Sequence, residues 1–309
     1  MTSRKRGYLL DVSSTATWYV TSFYRFVPLN RDGLAGLQAQ TREWMTEHGV
    51  TGLVLFAEEG INGTVAGDDT GILEFKGFIS GLVDKHDIRF KDSVSDVRPF
   101  HRMSVDIRAE IVGMKRPDLV PQTEDDHHLS PKEWHEALAS DEPKVIIDTR
   151  NRYETHLGKF KGAVDPDLNH FSDWGSYLEA TEVPREAPVY IYCTGGIRCE
   201  KAIMEMHARG FENVHQLRDG ILGYLKEYPD GLYEGECFVF DDRVALDKDL
   251  QPTTRFGNCP GCGLPSGTKK ECERCGAPYY VCDACAGTWD PICSKTCRDL
   301  WRRHGPKPR

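Results

Sequence analysis

The chain has 309 residues, 39% of them hydrophobic and 28% charged, and its formal net charge is −9 at pH 7. This length suits two or three domains, and the composition is that of an ordinary globular protein, which excludes a disordered or collagen-like chain. Apolar runs such as residues 53–57 are far shorter than the roughly 18 residues that cross a membrane, so we expect a cytoplasmic protein with no membrane segment. An acidic chain binds nucleic acid poorly unless the contact is local, so we expect only local RNA contacts.

The N-terminal part predicts a ferredoxin-like α+β domain at residues 18–114. It follows an N-terminal leader, residues 1–17, which lacks the apolar stretch of a signal peptide. Changes of hydrophobic period predict a strand at 18–27, two strands around a tight Gly/Asn turn within 52–67, and a closing strand at 104–112. They also predict helices at 32–48 and 72–84. The inward positions of the first helix are Leu34, Leu37, Trp44 and Met45. The order β-α-β-β-α-β is typical of the ferredoxin-like, or acylphosphatase-like, fold.

A basic stretch near the end of this domain is a candidate RNA contact. Residues 85–116, beginning at Lys85, hold eight Lys and Arg against five acidic residues, with aromatic residues among them. Cationic and aromatic side chains together suit single-stranded RNA, because phosphates pair with the cations and bases stack on the rings. An ordinary solvent-exposed face is the alternative, and Asp106 lowers the positive charge. The RNA-contact candidates are Arg98, Arg102 and Arg108.

The segment AEEGINGT, with Glu58, Glu59 and Asn62, has two open interpretations. It is either a turn with solvated carboxylates or a loop that faces the substrate. The residue pattern does not separate the two.

A second domain, of α/β type, is expected at residues 128–232 after a linker at 115–127. The linker contains two prolines, a short acidic run and no hydrophobic period. Beyond it, the buried-type strands KVIIDTR and PVYIY alternate with helices, the first of which begins at Ser130 and Pro131. This alternation predicts a parallel sheet with helices on both faces.

The segment PVYIYCTGGIRCEKAIMEMHARG places Cys193 between a strand and a helix. Chemistry in open parallel sheets gathers at the carboxyl ends of the strands. The two glycines after Cys193 let successive amides point at one spot near a helix N-terminus, and such a ring of amides binds negative charge. We therefore expect a reactive thiolate of lowered pKa on Cys193, with Arg198 as a second catalytic candidate and a cradle of loop amides from Thr194, Gly195, Gly196 and Ile197. A buried cysteine beside an ordinary turn is the alternative.

The spacing of this loop favours sulfur over phosphate. Four residues lie between Cys193 and Arg198, and the corresponding loop of cysteine phosphatases is longer, so this ring is better sized for a persulfide. Arg198 either orients an anionic substrate or ties the loop to the helix. Cys199 is either a resolving thiol that relieves an oxidised Cys193 or a small packing residue.

Around the loop, the sequence resembles the rhodanese family. The family signature corresponds to IIDTRNRYETHLGKFKGAV, and LRDGILGYLKEYP is similar to the closing turn and last helix. The signature positions are occupied by Asp148, Arg150, Glu154, Gly158, Gly162 and Ala163. The resemblance implies a rhodanese domain in which Asp148, Arg150 and Glu154 support a sulfur-bearing Cys193.

The resemblance extends further, over most of the chain. The protein is similar to the rhodanese-related tRNA uridine hydroxylases in AEEGINGTVAG, PFHRMSVDIRAEIVG, CTGGIRCEKA and CFVFDDRVAL. This implies hydroxylation of the wobble uridine of tRNA to 5-hydroxyuridine, with molecular oxygen as co-substrate, the anticodon stem-loop as partner and Cys193 as the essential residue.

Two other functions stay open. One is a sulfurtransferase that takes sulfur from a small-molecule donor, such as thiosulfate or a persulfide, onto Cys193. The other is a non-catalytic scaffold, although an inert copy need not keep Cys193 and Arg198. We expect neither flavin nor haem, because the sequence shows no motif for either, and the sequence does not determine the oligomeric state.

The C-terminal region, residues 233–309, predicts two structural zinc sites. Eight of the 11 cysteines lie there as four short pairs, which is the ligand spacing of zinc knuckles, whereas disulfides are not expected in a cytoplasmic chain. The eight are Cys259, Cys262, Cys272, Cys275, Cys282, Cys285, Cys293 and Cys297. Sequential and interleaved pairing stay open.

Two further features mark this region. The segment ECFVFDDRVAL predicts a strand or hairpin in which Cys237 is a small buried residue. From residue 255 onward, the chain carries 10 Lys and Arg against 5 Asp and Glu. This basic end is a second candidate for contact with tRNA phosphates.

Overall fold

The N-terminal domain is a five-stranded sheet with two helices on one face. The computed structural model describes residues 17–83, 88–121 and 127–306, so most of the predicted leader, Lys85 and part of the predicted linker lie outside the described residues. The elements are β1 (Trp18–Phe26), α1 (Leu34–Glu47), β2 (Thr51–Ala57), β3 (Gly60–Gly67), α2 (Asp69–Leu82), β4 (Arg89–Ser95) and β5 (Met103–Ile107). The strand order is β4-β1-β3-β2-β5, in which β2 and β5 are parallel and the other neighbours antiparallel.

Strand alternation separates an apolar face from a polar face. Phe23 of β1 lies opposite Phe90 of β4, and both rings pack into the core beneath α1 and α2. Of the four predicted inward positions of α1, Leu34 and Met45 are buried and Leu37 and Trp44 pack against the same core, as predicted. Because side chains alternate along a strand, the neighbours of Phe23 and Phe90 point away from the helices.

Two sequence predictions for this domain were wrong in detail. The predicted closing strand at 104–112 corresponds to β5, which lies at the far edge beside β2, whereas the edge beside β1 is taken by β4, which was not predicted. The sequence of β4, RFKDSVS, is mostly polar because only one of its faces meets the core. The tight turn consists of Glu58 and Glu59, since Ala57 pairs with Gly60, and the predicted Gly/Asn turn residues belong to β3.

The central domain has the predicted parallel sheet with helices on both faces. Its elements are β6 (His128–Leu129), α3 (Pro131–Ala139), β7 (Val145–Asp148), α4 (Arg152–Thr155), β8 (Gly158–Phe160), α5 (Trp174–Ala180), β9 (Val189–Tyr192), α6 (Ile197–Ala208), β10 (Val214–Leu217) and α7 (Gly220–Glu227). The strand order is β6-β10-β9-β7. Helices α5 and α6 cover one face and α3 and α7 the other, each with its own apolar core. Helix α3 begins where predicted, with a capping box between Ser130 and Glu133.

The C-terminal region consists of short strands and two helices. Its first strand pairs with β8, and the next two form the predicted hairpin, in which Cys237 is fully buried as expected. The elements are β11 (Tyr233–Gly235), β12 (Cys237–Phe238), β13 (Ala245–Leu246), β14 (Gly257–Asn258), β15 (Pro265–Ser266), β16 (Lys269–Glu271), β17 (Pro278–Tyr280), α8 (Asp283–Trp289) and α9 (Lys295–His304). Across the described ranges, no helix combines the length and the apolar character that a membrane crossing requires.

Candidate active site

The Cys193 loop connects the end of β9 to the start of α6 and is held by α7. Gly196 has a φ of 97°, a left-handed conformation that favours glycine. A β-carbon on Gly196 would also lie 3.0 Å from the hydroxyl of Tyr24. The amides of Ile221 and Leu222 donate to the carbonyls of Cys193 and Thr194, at 3.0 and 3.1 Å. The loop carbonyls are therefore bound by α7, which leaves the loop amides free to turn toward the sulfur.

The sulfur of Cys193 is an activated thiol at a buried position. The residue is only 1% exposed, and the amide of Gly196 donates to Sγ at 3.1 Å. Burial raises the pKa of Cys193, but a hydrogen bond with Cys199, the positive charge of Arg198 and the amides of Arg198 and Gly196 lower it to about 6. At neutral pH the group is therefore mainly a thiolate, the form that reacts.

Arg198 is bound by a carboxylate of the central domain. Its two terminal nitrogens donate to the two oxygens of Glu154, each at 2.8 Å, and both side chains are buried. Of the two interpretations of Arg198, the geometry corresponds to the one in which it ties the loop and α6 to α4. Its charge still acts on Cys193, because it is among the causes that lower the pKa of that thiol.

Asp148 and Arg150 form a second buried ion pair, below the loop. The guanidinium of Arg150 binds both oxygens of Asp148 and donates to the carbonyl of Gly158 at 2.6 Å. The pair joins the end of β7 to β8. Neither residue lines the cavity above Cys193.

Cys199 lies beneath the loop, with its thiol against Cys193. It is fully buried, and its sulfur is 3.7 Å from the hydroxyl of Thr149. Burial and the neighbouring Cys193 sulfur raise the pKa of Cys199 well above its usual value. Cys199 is therefore a neutral hydrogen-bond donor to the thiolate in this arrangement.

A cavity of about 790 Å³ opens above Cys193 and is walled by all three regions of the chain. The central domain contributes Thr194, Gly195, Ile197 and Arg198 together with residues of α7, and the C-terminal hairpin closes one side. The polar face of the N-terminal sheet forms the opposite wall, with Ser22, Tyr24, Asn62, Thr64 and Lys91.

Of these five wall residues, the sequence singles out only Asn62. Lys91 belongs to its basic stretch, and Tyr24 belongs only to a predicted strand. The available signal was the alternation of the strands, because Phe23 and Phe90 point into the core and their neighbours must point the other way. That signal could be used only once β4 was recognised as a strand beside β1.

The three arginines proposed for RNA contact lie outside this cavity. Arg98 is exposed and stacks over Trp18, with 5.2 Å between the guanidinium carbon and the ring centroid. Arg102 is also exposed, and Arg108 pairs with Asp106 at 3.0 Å. The structure therefore separates these arginines from the Cys193 site.

The segment AEEGINGT matches neither interpretation as a whole. Glu59 is buried and binds Lys201 of α6, whereas Glu58 is largely exposed and pairs with Arg31. Asn62 lines the cavity. The segment thus combines a contact between domains with one wall of the site.

The eight C-terminal cysteines form two groups of four with interleaved pairing. The first group is Cys259, Cys262, Cys282 and Cys285, and the second is Cys272, Cys275, Cys293 and Cys297; within each, the sulfurs lie within 4.8 Å of one another. Sulfurs of Cys262 and Cys282 are 3.8 Å apart, and those of Cys275 and Cys293 are 3.6 Å apart. Four sulfurs at about 2.3 Å from one zinc ion would be about 3.8 Å apart, so both groups have the right donor set and spacing for zinc.

Three family models match successive parts of the chain. The match to a UPF0176 acylphosphatase like domain covers residues 18–111, that to a Rhodanese-like domain covers 130–227, and that to a domain described as Rhodanase C-terminal covers 234–298. A solved rhodanese-like domain from Anabaena sp. is 20% identical, covering 36% of this chain and 80% of its own, with a TM-score of 0.30. The fold and the cysteine loop thus define a rhodanese-domain protein with an acylphosphatase-like N-terminal domain.

Curated relatives narrow this class. A tRNA uridine(34) hydroxylase of Bdellovibrio bacteriovorus is 44% identical over 95% of this chain and 84% of its own length. Another of that name, from Rhizobium etli, is 41% identical over 77% of each chain. The chain therefore belongs to the family of the tRNA uridine(34) hydroxylases.

Proposed function

We propose that this protein hydroxylates uridine 34, the wobble uridine, of tRNA to 5-hydroxyuridine, with Cys193 as its catalytic residue. One observation carries the role of Cys193: its sulfur has a pKa of about 6 and adjoins a cavity walled by all three regions of the chain. The substrate follows from the family, whose named members match this chain over most of their length. The proposal includes three domains, at residues 18–114, 128–232 and 233–309.

The size and lining of the cavity suit a splayed-out base. Its volume of about 790 Å³ is within the range of roughly 300–1,000 Å³ that holds small ligands. The wobble base belongs to a single-stranded loop, and proteins read such bases by turning them out and binding their edges. Ser22, Asn62 and Thr64 supply donors and acceptors on one wall, opposite Cys193.

The reaction places one oxygen atom on C5 of uracil. With molecular oxygen as co-substrate, the second oxygen atom leaves as water and takes up two electrons and two protons from a reductant. The proposal requires neither flavin nor haem. The residues assigned to the chemistry are Cys193 and, through its charge on the thiolate, Arg198, with the loop amides as the cradle and Asp148, Arg150 and Glu154 as support.

Nucleoside mass spectrometry of tRNA tests this function. We expect 5-hydroxyuridine at position 34 to disappear when the gene is deleted, to return with the wild-type gene and to stay absent with Cys193→Ser. Cys237→Ser is the matched control, because Cys237 is equally buried but burial raises its pKa to about 12. Modification that persists with a folded Cys193→Ser protein would remove this cysteine from the mechanism.

Sulfur transfer is the second candidate, and the loop geometry favours it to a limited degree. The sulfur of Cys193 accepts amide hydrogen bonds from Gly196 and Arg198, and the same donors would stabilise a persulfide. The binding of Arg198 by Glu154 reduces its use as a ligand for thiosulfate. Rapid thiocyanate formation from thiosulfate and cyanide, without any effect on tRNA nucleosides, would favour this alternative.

We propose that each four-cysteine group binds one structural zinc ion. Zinc would fix the short strands and α8 and α9, which have only a small apolar core. Backbone amides already favour the thiolate form, since they help to lower the pKa of Cys259 to about 6 and that of Cys272 to about 7 against the effect of burial. The sites would support the fold and leave no open position for catalysis.

Metal analysis of two double variants tests zinc binding and its pairing together. We expect about two zinc ions per chain in the wild type, as follows from two tetrahedral sites. Cys259→Ser with Cys282→Ser empties one site and leaves one ion, whereas Cys259→Ser with Cys272→Ser damages both sites. The reverse result would indicate sequential pairing, and a wild-type protein without zinc would refute the proposal.

We further propose a cytoplasmic protein whose basic surfaces contact the anticodon stem-loop. Helix α9 carries Arg298, Arg302 and Arg303, and the last two belong to its final turn. Arg98 and Arg102 are exposed on the N-terminal domain. Cations on the N-terminal domain and on the C-terminal region suit an RNA that extends beyond the cavity, because each neutralised phosphate adds to affinity.

A further inference from the structure

Lys91 lies on the polar face of the N-terminal sheet and extends to the Cys193 loop. It pairs with Ser22 across β1 and β4, and its side chain is only 8% exposed. The last two carbons of its aliphatic chain lie 3.8 Å from the position that a β-carbon on Gly195 would take. Its ammonium group lies 4.6 Å from the centroid of the Tyr24 ring. A lysine of one domain therefore crosses the tip of the loop of another.

Within the part of the chain that the structure describes, the ammonium group of Lys91 has no carboxylate oxygen at hydrogen-bond distance. The nearest paired oxygen belongs to Asp219, at 3.8 Å, which is long for a charge-assisted hydrogen bond. Lys91 lines the same cavity as Cys193 and interacts electrostatically with its sulfur and with Glu200. Arg198, the other cation beside Cys193, is bound at both terminal nitrogens by Glu154. Lys91 thus remains available to the cavity.

We propose that Lys91 is the cation that the N-terminal domain contributes to the Cys193 site, where it holds negative charge on the sulfur and on the substrate atoms that react there. The second half of this statement rests on the function proposed above. The chemistry selects a substrate that develops negative charge near the thiolate, as a uracil ring does on its C4 carbonyl oxygen when a nucleophile adds at C6 and the C5–C6 π electrons move into the enolate. The N-terminal domain then takes part in the chemistry and does not only bind RNA.

A purely structural role does not account for this lysine. Burial lowers the pKa of Lys91, so the protein holds its charge at an energetic cost that Asp219 and Cys193 only partly offset. A residue kept only for packing would be replaced by an apolar side chain without loss. We therefore expect Lys91→Met to fold and to be as stable as the wild type or slightly more stable.

The charged and titratable groups around the pair define the expected pH response. Cys193 interacts with Arg198 and Cys199 of α6, Tyr24 of β1, Lys91 of β4 and Cys237 of β12. Lys91 in turn is faced by Asp219, Glu200 and Arg89. Removing the positive charge of Lys91 destabilises the thiolate, so the pKa of Cys193 must rise.

The test is the rate at which iodoacetamide alkylates Cys193 in the full-length protein between pH 5 and pH 9, measured on the peptide that contains it. The wild type should reach half-maximal rate near pH 6. Lys91→Met should shift this midpoint upward by roughly 0.5–1.5 pH units, whereas Lys91→Arg should stay close to the wild type. Lys91→Gln repeats the test with a neutral side chain that still forms hydrogen bonds.

Lys76→Met is the matched control. Lys76 also pairs with an aspartate, Asp92, and also lies over an aromatic ring, that of Phe90, but it belongs to α2 on the opposite face of the sheet. In the Lys76→Met protein, we expect the midpoint of Cys193 alkylation to equal that of the wild type. In cells, 5-hydroxyuridine should fall at least about tenfold with Lys91→Met, as follows from a loss of 1.4 kcal/mol or more in transition-state stabilisation, and should be unchanged with Lys76→Met.

The outcomes separate this inference from the proposed function. A wild-type midpoint in both folded neutral variants, Lys91→Met and Lys91→Gln, overturns the role of Lys91 whatever the activity of the protein. If the midpoint shifts but Cys193→Ser still modifies tRNA, Lys91 acts on the thiolate and the catalytic role of Cys193 fails instead.

Discussion

Two buried lysines join the N-terminal and central domains in opposite ways. Lys201 of α6 binds Glu59 at 2.7 Å and Glu110 at 2.8 Å, and all three side chains are almost fully buried. Among the described residues, the ammonium group of Lys91 of β4 pairs only with Asp219, at 3.8 Å, and it otherwise faces the cavity. One cation is fully paired and the other is not.

The difference separates a structural contact from a reactive one. A buried charge is stable only when its partners replace the lost water, and two close carboxylates do so for Lys201. An incompletely paired cation keeps a strong electrostatic field in the cavity that it faces. A site that stabilises negative charge requires such a field. The Lys201 cluster also fixes the N-terminal domain against α6, and so holds Lys91 over the loop at the start of that helix.

The largest effect is expected from breaking the Lys201 cluster. Lys201→Met leaves two buried carboxylates without their cation, and we expect the free energy of unfolding to fall by about 3–5 kcal/mol, measured by denaturant unfolding. By contrast, Lys91→Met should not lower this free energy. Equal destabilisation by the two variants would contradict the distinction drawn between them.

The pH dependence of Lys201→Met sharpens the same prediction. Burial already raises the pKa of Glu59, and Lys201 and the amide of Ile111 oppose this effect. Without Lys201, the pKa of Glu59 in the folded protein rises further above its value in the unfolded chain. A raised carboxyl pKa favours the folded state at low pH, and this contribution is lost as pH rises through the folded-state value. The free energy of unfolding that Lys201→Met loses should therefore be larger at pH 8 than at pH 5. Adding Glu59→Gln to this variant should recover part of the loss.

The sequence predicted the elements that have a strong local signal. The Cys193 loop, the strands and helices of the parallel sheet and the hairpin around Cys237 each follow from a pattern among neighbouring residues, and the structure contains all three. Strand β4 was missed because RFKDSVS presents a polar face to the cavity, so its apolar alternation is weak. The sequence does not determine the pairing of the cysteines, because ligand spacing alone allows both arrangements, and only the fold brings the interleaved groups together.

The contacts between domains could not be predicted from the sequence. Lys201 meets Glu59 across 142 positions of the chain, and Tyr24 meets Glu200 across 176. No local period links such residues, and the packing of one domain on another decides which of the many charged side chains meet. The cavity wall formed by Lys91 and Tyr24 is therefore a property of the assembled domains.

The smallest effect is expected from Tyr24→Phe, which tests whether the hydroxyl or the ring of Tyr24 matters for Lys91. The hydroxyl donates to Glu200 at 2.8 Å, and burial raises the pKa of Tyr24, so it remains a neutral donor at physiological pH. Glu200 keeps His128 and Gln216 as partners, so the loss should be about 1 kcal/mol in the free energy of unfolding. The ring stays beneath Lys91, and the alkylation midpoint of Cys193 should therefore stay within about 0.3 pH units of the wild type. A shift as large as that of Lys91→Met would assign control of the thiolate to the network of Tyr24 and Glu200, because only the hydroxyl would have been removed.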